Sequence, residues 1–202
     1  MLTGFTAGLL LITVSELGDK TFFIGAILAM RHSRRWVFLG VTAALFAMTV
    51  LSVLLGQFAT VFPRHYVEWV TVALFFGFGF RLLYQAICQS GQLKREATAA
   101  AETVGYQPSS QIAIGSLLSK AFTLTFVAEW GDRTQLATIT LAAAHPPVSV
   151  IAGATLGHAI CAAIAVACGR LLCGRMSERR LTALGGILFM VFGAIAAIEA
   201  SG

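Results

Sequence analysis

Two short charged motifs, each set inside a stretch apolar enough to cross a bilayer, constrain this chain more than any other feature. Ser15-Glu16-Leu17-Gly18-Asp19-Lys20-Thr21 and Ala128-Glu129-Trp130-Gly131-Asp132-Arg133-Thr134 share Glu-x-Gly-Asp-(Lys/Arg)-Thr at an offset of 113 residues. They contain both aspartates of the protein, Asp19 and Asp132. One ionised side chain at the centre of a membrane helix costs roughly 3 kcal/mol, so six would cost about 18 kcal/mol before any pairing. That exceeds the net stability of an ordinary fold, ~5 to 15 kcal/mol. Such charges persist only if they neutralise one another across helices or hold a charged substrate.

The surroundings of the motifs fix the class. With 57% hydrophobic and 11% charged residues and a mean hydropathy of +0.83, the chain lacks the polar surface of a water-soluble globule. Trp36 to Phe62 has no charged residue or histidine over 27 positions, and Leu181 to Ile198 no charge over 18. Either is long enough for a helix across ~30 Å of hydrocarbon. The period-two pattern of a membrane barrel is absent. Hydropathy predicts six helices, at about 4–30, 36–61, 68–88, 118–142, 148–171 and 181–199. Pro63, Pro108, Pro146 and Pro147 all fall between them, where a missing N–H is tolerated. The polar stretch Gln89 to Gln111 reads as a mobile cytoplasmic linker, and Ile112 to Leu118 as an interfacial lead-in to the fourth helix. The expected organisation is a first three-helix repeat over 1–90, a linker over 91–111 and a second repeat over 112–202.

The basic residues orient this arrangement. Arg31, Arg34 and Arg35, then Arg81, Lys94, Arg95 and Lys120, then Arg170, Arg175, Arg179 and Arg180 lie at one set of helix ends, against Arg64 at the other. The positive-inside rule makes that set cytoplasmic and places both termini outside. The net charge of +5 thus reflects topology and not nucleic-acid binding. The first apolar stretch contains Glu16, Asp19 and Lys20 and follows no basic residue, unlike a cleavable signal peptide, so the first helix is expected to stay in the mature protein. Cys88, Cys161, Cys168 and Cys173 have no metal-type spacing and read as small buried thiols without a disulfide framework.

The repeat extends past the motif. At the same offset of 113, Gly40 matches Gly153, Gly56 matches Gly169, and Leu28-Ala29 matches Leu141-Ala142; Leu74 to Gly79 recurs as Leu188 to Gly193 with a one-residue slip. Three helices per half require the second half to cross in the opposite sense, so the expected fold is an all-α integral membrane protein of two inverted three-helix repeats, the arrangement of secondary transporters.

The spacing within each motif predicts its chemistry. Glu16 and Asp19, and likewise Glu129 and Asp132, are three apart and fall on one helix face, so four carboxylates can converge. Gly18 and Gly131 permit either close helix contact or local unwinding, and Thr21, Thr134 and Gln135 add neutral oxygens. This hard-oxygen set suits calcium, manganese or magnesium better than zinc or copper. Lys20 and Arg133 balance the acids: with all six ionised the site carries a net charge of minus two, which one divalent cation or two protons would cancel. Competition between metal and protons for the same acids is the basis of exchange; the alternative is an interhelical clasp that binds nothing. His158, near mid-depth in the fifth helix with Cys161 one turn on, is a candidate proton relay against a packing role. Gly4-x-x-x-Gly8 and Gly153-x-x-x-Gly157 are small-residue faces for packing within the chain, with a homodimer as the alternative. Arg31 to Arg35 is a topology determinant, with anionic lipid as the alternative ligand.

The sequences Glu-Leu-Gly-Asp-Lys-Thr with Phe22-Phe23, Glu-Trp-Gly-Asp-Arg-Thr-Gln, and the lead-in Lys120 to Phe126 resemble those of the Gdt-type divalent cation/proton antiporter family. The resemblance covers nearly the whole chain, though without the long leader of eukaryotic organellar members. It implies transport of manganese, or calcium, against protons, with the motif acids as the cation site, and manganese export in bacterial-type members. The metal is then cargo and no resident cofactor is expected. A passive cation channel would use similar acids without needing mirrored halves. An enzyme finds no support, since His-Glu-x-x-His, Gly-x-Ser-x-Gly and P-loop motifs are absent.

Overall fold

The first expected helix is two. In the computed structural model, which describes residues 2–88, 92–105, 113–172 and 178–201 apart from the side chains of 64, 92, 93, 168–172 and 178–181, α1 (Leu2–Glu16) stops inside the motif and α2 (Lys20–Arg31) restarts after it. The fourth expected helix breaks in the same way into α6 (Ile114–Ala128) and α7 (Arg133–Ala144). Between them run α3 (Arg34–Ala59), α4 (Arg64–Cys88) and α5 (Gln92–Val104), and α8 (Pro147–Leu172) and α9 (Glu178–Ser201) follow. The described residues are mostly helical and contain no strand. Among the described residues, four helices are individually long and apolar enough to cross a membrane: Arg34–Ala59, His65–Cys88, Pro147–Ala167 and Thr182–Ser201.

Glycine causes both breaks. Gly18 and Gly131 adopt φ of 85° and 78°, the left-handed region that only glycine enters at little cost. Of the two alternatives open to these glycines, the structure takes unwinding. It thereby corrects the expected geometry of the acids: Glu16 ends α1 while Asp19 is the N-cap of α2, and Asp132 is the N-cap of α7. The acids of each motif flank a break instead of sharing a continuous helical face.

The expectation of a mobile linker is corrected for 92–104, while 89–91 and 106–111 lie outside the described residues. Residues 92–104 form α5, whose Ala97, Ala100 and Val104 lie at i, i+3 and i+7 and join the hydrophobic core around Phe22, Phe23 and Ile24 of α2. Gly105, at φ 71°, ends the helix, and Arg31 Nη1 donates to its carbonyl at 2.9 Å. The lead-in Ile112 to Leu118 is not separate either, since α6 already starts at Ile114, residue 112 lying outside the described residues.

The duplication is visible in the packing. A Cβ on Gly40 of α3 would meet Leu118 O of α6 at 3.0 Å, and one on Gly153 of α8 would collide with Phe5 O of α1. Leu118 and Phe5 are themselves 113 apart, so the first helix of each half rests on the equivalent glycine of the other. Gly4, Gly8 and Gly157 continue the α1–α8 contact against Ser149, Ala154 and Leu9, so both small-residue faces are used within the chain. Two apolar cores result. One joins α2, α3, α5, α6 and α8; the other gathers α1, α4, α7 and α9 around Phe189, with Val53 of α3 and Val150 of α8. The outer surface of the bundle is apolar too, with Phe58, Phe80, Tyr84, Ile187 and Ile198 exposed. Cys88 is exposed and Cys161 buried, both as free thiols; the side chains of Cys168 and Cys173 lie outside the described residues.

Candidate metal and proton site

At each break the chain makes the same tight turn. Asp19 N donates to Glu16 O at 3.2 Å and Asp132 N to Glu129 O at 3.1 Å, and the next half-helix begins with its free N–H groups directed at the break. Carboxylates are favoured there, because a helix N-terminus carries a partial positive charge. Asp132 Oδ2 accepts from Thr134 N at 3.4 Å and from Thr134 Oγ1 at 3.2 Å.

The two breaks meet. Glu16, Asp19 and Asp132 each present a carboxylate oxygen, and the three oxygens lie within 4.8 Å of one another. Oxygens bound to one hard cation at 2.3–2.6 Å can be no more than about 5 Å apart. The observed spacing therefore fits a single divalent ion held by both halves of the chain. Glu129, the fourth predicted acid, stands beside this trio, interacting electrostatically with Glu16, Asp132 and Asp19.

Threonines tie the acids together. Thr21 Oγ1 donates to Glu16 Oε2 at 3.0 Å, and Thr134 Oγ1 to Glu129 Oε2 at 3.2 Å. Thr134 also interacts with Glu16, and Thr21 with Glu129, so each hydroxyl serves both motifs. Glu16 and Glu129 are each 2% exposed, and in both the second oxygen, Oε1, is buried without a hydrogen-bond partner. An orphaned buried acceptor ordinarily costs ~1 to 3 kcal/mol. Such atoms are the free lone pairs that a proton or a metal ion would take.

The other predicted residues take distinct places. Arg133 Nη2 donates to Asp19 Oδ1 at 2.8 Å and to Ser15 O at 3.2 Å, pairing the cation of the second motif with an acid of the first. Lys20 is half-buried at the start of α2 and faces Glu96 electrostatically. Gln135 braces the second break: its Oε1 accepts from Gly131 N at 2.7 Å and its Nε2 lies 3.2 Å from Met48 Sδ. His158 is buried in α8 with Nδ1 lacking a partner, and Cys161 Sγ donates to Thr13 O at 3.3 Å.

Sequence reasoning missed Glu96. It is half-buried on α5 and interacts with Arg133, Asp132 and Lys20. Burial raises its pKa above the usual carboxylate value; Arg133 opposes the rise, Asp132 adds to it and Lys20 opposes it. Its sequence signal was the Ala97-x-x-Ala100-x-x-x-Val104 stripe next to it, which marks a docked helix. At the far end of α7, His145 borders a cavity of about 800 Å³ together with Thr60, Glu68, Thr71 and Glu199.

The sequence matches the family of the divalent cation/proton antiporter GDT1 over residues 4–90 and 117–202. It is 52% identical over 199 residues to a GDT1-like protein of Synechocystis sp., covering 96% of this chain and 97% of that one. GDT1-like protein 5 of Arabidopsis thaliana is 38% identical over 215 residues, covering 96% and 94%. The chloroplastic protein PAM71 of the same plant is 39% identical over 216 residues; the match covers 98% of this chain but 57% of that longer one. No solved structure matches the chain.

Proposed function

This chain belongs to the divalent cation/proton antiporter GDT1 family, and from that premise we propose that it exchanges manganese, with calcium as the second candidate, for protons and exports the metal from the cytoplasm. The observation that carries this reading is the trio of oxygens from Glu16, Asp19 and Asp132, drawn from both halves to within 4.8 Å. Oxygen donors alone favour a hard divalent ion, and the orphaned Oε1 atoms of Glu16 and Glu129 give protons a place in the same site.

Helix lengths support the placement of this site at mid-depth. α1 and α2 have 15 and 12 residues, α6 and α7 likewise 15 and 12. At 1.5 Å per residue these halves measure about 22 and 18 Å, too short to cross ~30 Å of hydrocarbon singly but sufficient end to end. Counted as two broken spans beside the four continuous ones, they give six crossings in two inverted repeats, 1–90 and 112–202, with the 91–111 segment cytoplasmic and both termini external in the cell membrane. Irregular backbone at that depth is tolerated where it lines a polar site.

In this reading Arg133 stands in for the cation when the site is empty of metal. A divalent ion displaces the guanidinium from Asp19 and the protons from Glu16 and Glu129; on the far side the protons return and release the metal. His158 is the candidate proton relay, its unpartnered Nδ1 lying on α8 near Cys161, which interacts with Glu16.

The test is flux in proteoliposomes of purified protein. A manganese gradient should drive protons in the opposite direction, with calcium slower. Metal flux without proton movement would instead assign a passive channel, and no metal flux at all would remove the transport reading.

A further inference from the structure

Arg133 cannot stay where it is if a divalent ion takes Asp19. Its Nη2 is held by Asp19 Oδ1 at 2.8 Å and Ser15 O at 3.2 Å, and the ion brings two positive charges against the same carboxylate. A guanidinium keeps its proton throughout the physiological range, so it cannot be neutralised in place. Nor is it free to turn into water, since its side chain is only 19% exposed. Burying a cation stripped of its partner is strongly unfavourable. Arg133 must therefore have a second anion to move to.

The two motifs do not supply one: Glu16, Asp19 and Asp132 are taken by the ion, and Glu129 is already engaged by the hydroxyls of Thr134 and Thr21. α5 does. Glu96 lies one turn before the buried Ala100, at the edge of the stripe that docks α5 on α2, whose N-cap is Asp19. The dock is fixed by Ala97, Ala100 and Val104 in the core and by the bond from Arg31 Nη1 to Gly105 O at 2.9 Å. From that position Glu96 interacts with Arg133, Asp132, Lys20 and Asp19. Arg133 also keeps an unused donor: its Nε is buried and has no hydrogen-bond partner.

We propose that Glu96 is the second partner of Arg133, taking the guanidinium when metal claims Asp19 and giving it back when metal leaves. Glu96 is then a positioning residue that sets the metal affinity of the site without touching the ion. It makes α5, which carries neither motif, a working part of the transporter. This rests on the exchange reading above.

The experiment is manganese-driven proton movement in proteoliposomes, read as separate KM and maximal rate. Glu96→Gln keeps the shape but loses the charge that attracts Arg133, so the guanidinium competes longer for Asp19. KM for Mn2+ should rise about tenfold, the scale of a charge-assisted pair, with the maximal rate changed less than about twofold. Glu96→Asp should restore most of the affinity. Glu102→Gln, exposed on the same helix, should match wild type. In an Arg133→Gln background, Glu96→Gln should add little, because the partner it serves is gone. Wild-type KM in Glu96→Gln, an equal change in Glu102→Gln, or a full effect retained without Arg133 would each overturn the handover while leaving the antiporter standing. Wild-type protein without manganese-coupled proton movement would overturn the exchange reading beneath it.

Discussion

Replacing Asp19 by Asn tests the proposed site most directly, because one substitution removes a carboxylate from the oxygen trio and breaks the ion pair with Arg133. The side chain is 13% exposed and its partner 19%, so solvent screens this pair less than a surface one. At an effective dielectric of about 20, a unit charge 4 Å away is worth about 4 kcal/mol, and a divalent ion feels twice that. Most is returned: the carboxylate no longer has to shed water, and Arg133 loses its strongest reason to resist the ion. A net loss of about 2 kcal/mol remains, equivalent to roughly 30-fold in affinity. Stability should fall less. Asn still accepts from Arg133 Nη2, so the change is from a charge-assisted to an ordinary hydrogen bond, about 1 to 2 kcal/mol.

Asp132→Asn separates the two effects. Asp132 caps α7 through Thr134 N, and Asn is as good an N-cap as Asp, so this variant should melt within about 0.5 kcal/mol of wild type while losing manganese affinity on the same scale as Asp19→Asn. Manganese titration of purified protein gives the affinities, proton movement in proteoliposomes gives the exchange, and thermal unfolding in detergent gives the stability. Folded Asp19→Asn and Asp132→Asn proteins that bind and exchange manganese as wild type does would show that these aspartates neither hold the ion nor take part in the cycle.

The features legible in the sequence were those with a local or periodic signature. The offset of 113 showed the duplication, and its physical meaning is the shared contact of Gly40 with Leu118 and of Gly153 with Phe5. A hydropathy window averages across Leu17-Gly18-Asp19 and across Trp130-Gly131-Asp132, so each broken helix was read as one; glycine at the right place left both outcomes open, and only the backbone decides. Low hydropathy from Gln89 to Gln111 concealed α5, because composition reports affinity for water while docking depends on three small residues at helical spacing. The same concealment removed Glu96 from consideration. Nor can spacing reveal that Arg133 pairs with Asp19, 114 positions away in sequence, while Lys20 faces Glu96 of α5: the two motifs are alike as strings and differ in what packs beside them. His32 and His145, also 113 apart, cap α2 and α7 through backbone bonds to Leu28 O and Leu141 O, a repeat position whose role emerges only once the helices are seen to end there.

Three further outcomes follow from the breaks, the crossing and the far end of α7. Gly131→Ala places a side chain at φ 78° with nothing within 4 Å of its Cβ, so the cost is backbone strain alone, about 1 kcal/mol on thermal unfolding; an unchanged midpoint would mean that the turn does not persist in solution. Gly153→Ala drives a Cβ into Phe5 O whereas Gly77→Ala meets open space, so the first should destabilise the protein strongly and the second hardly at all, and equal effects would refute the close α1–α8 crossing. The last concerns acid. Burial lowers the pKa of His145 below 6.5, with Glu199 opposing. The folded protein therefore takes up this proton less readily than the unfolded chain, and between the two pKa values the unfolded state binds more protons. The stability associated with neutral His145 is full above pH 6.5 and is lost as the pH falls below it. Melting in detergent should drop over that range, and His145→Gln, which has no proton to gain, should flatten the drop while leaving the midpoint at neutral pH nearly unchanged. A slope identical to wild type in the variant would show that His145 meets the same environment folded and unfolded, contrary to its half-buried place at the end of α7.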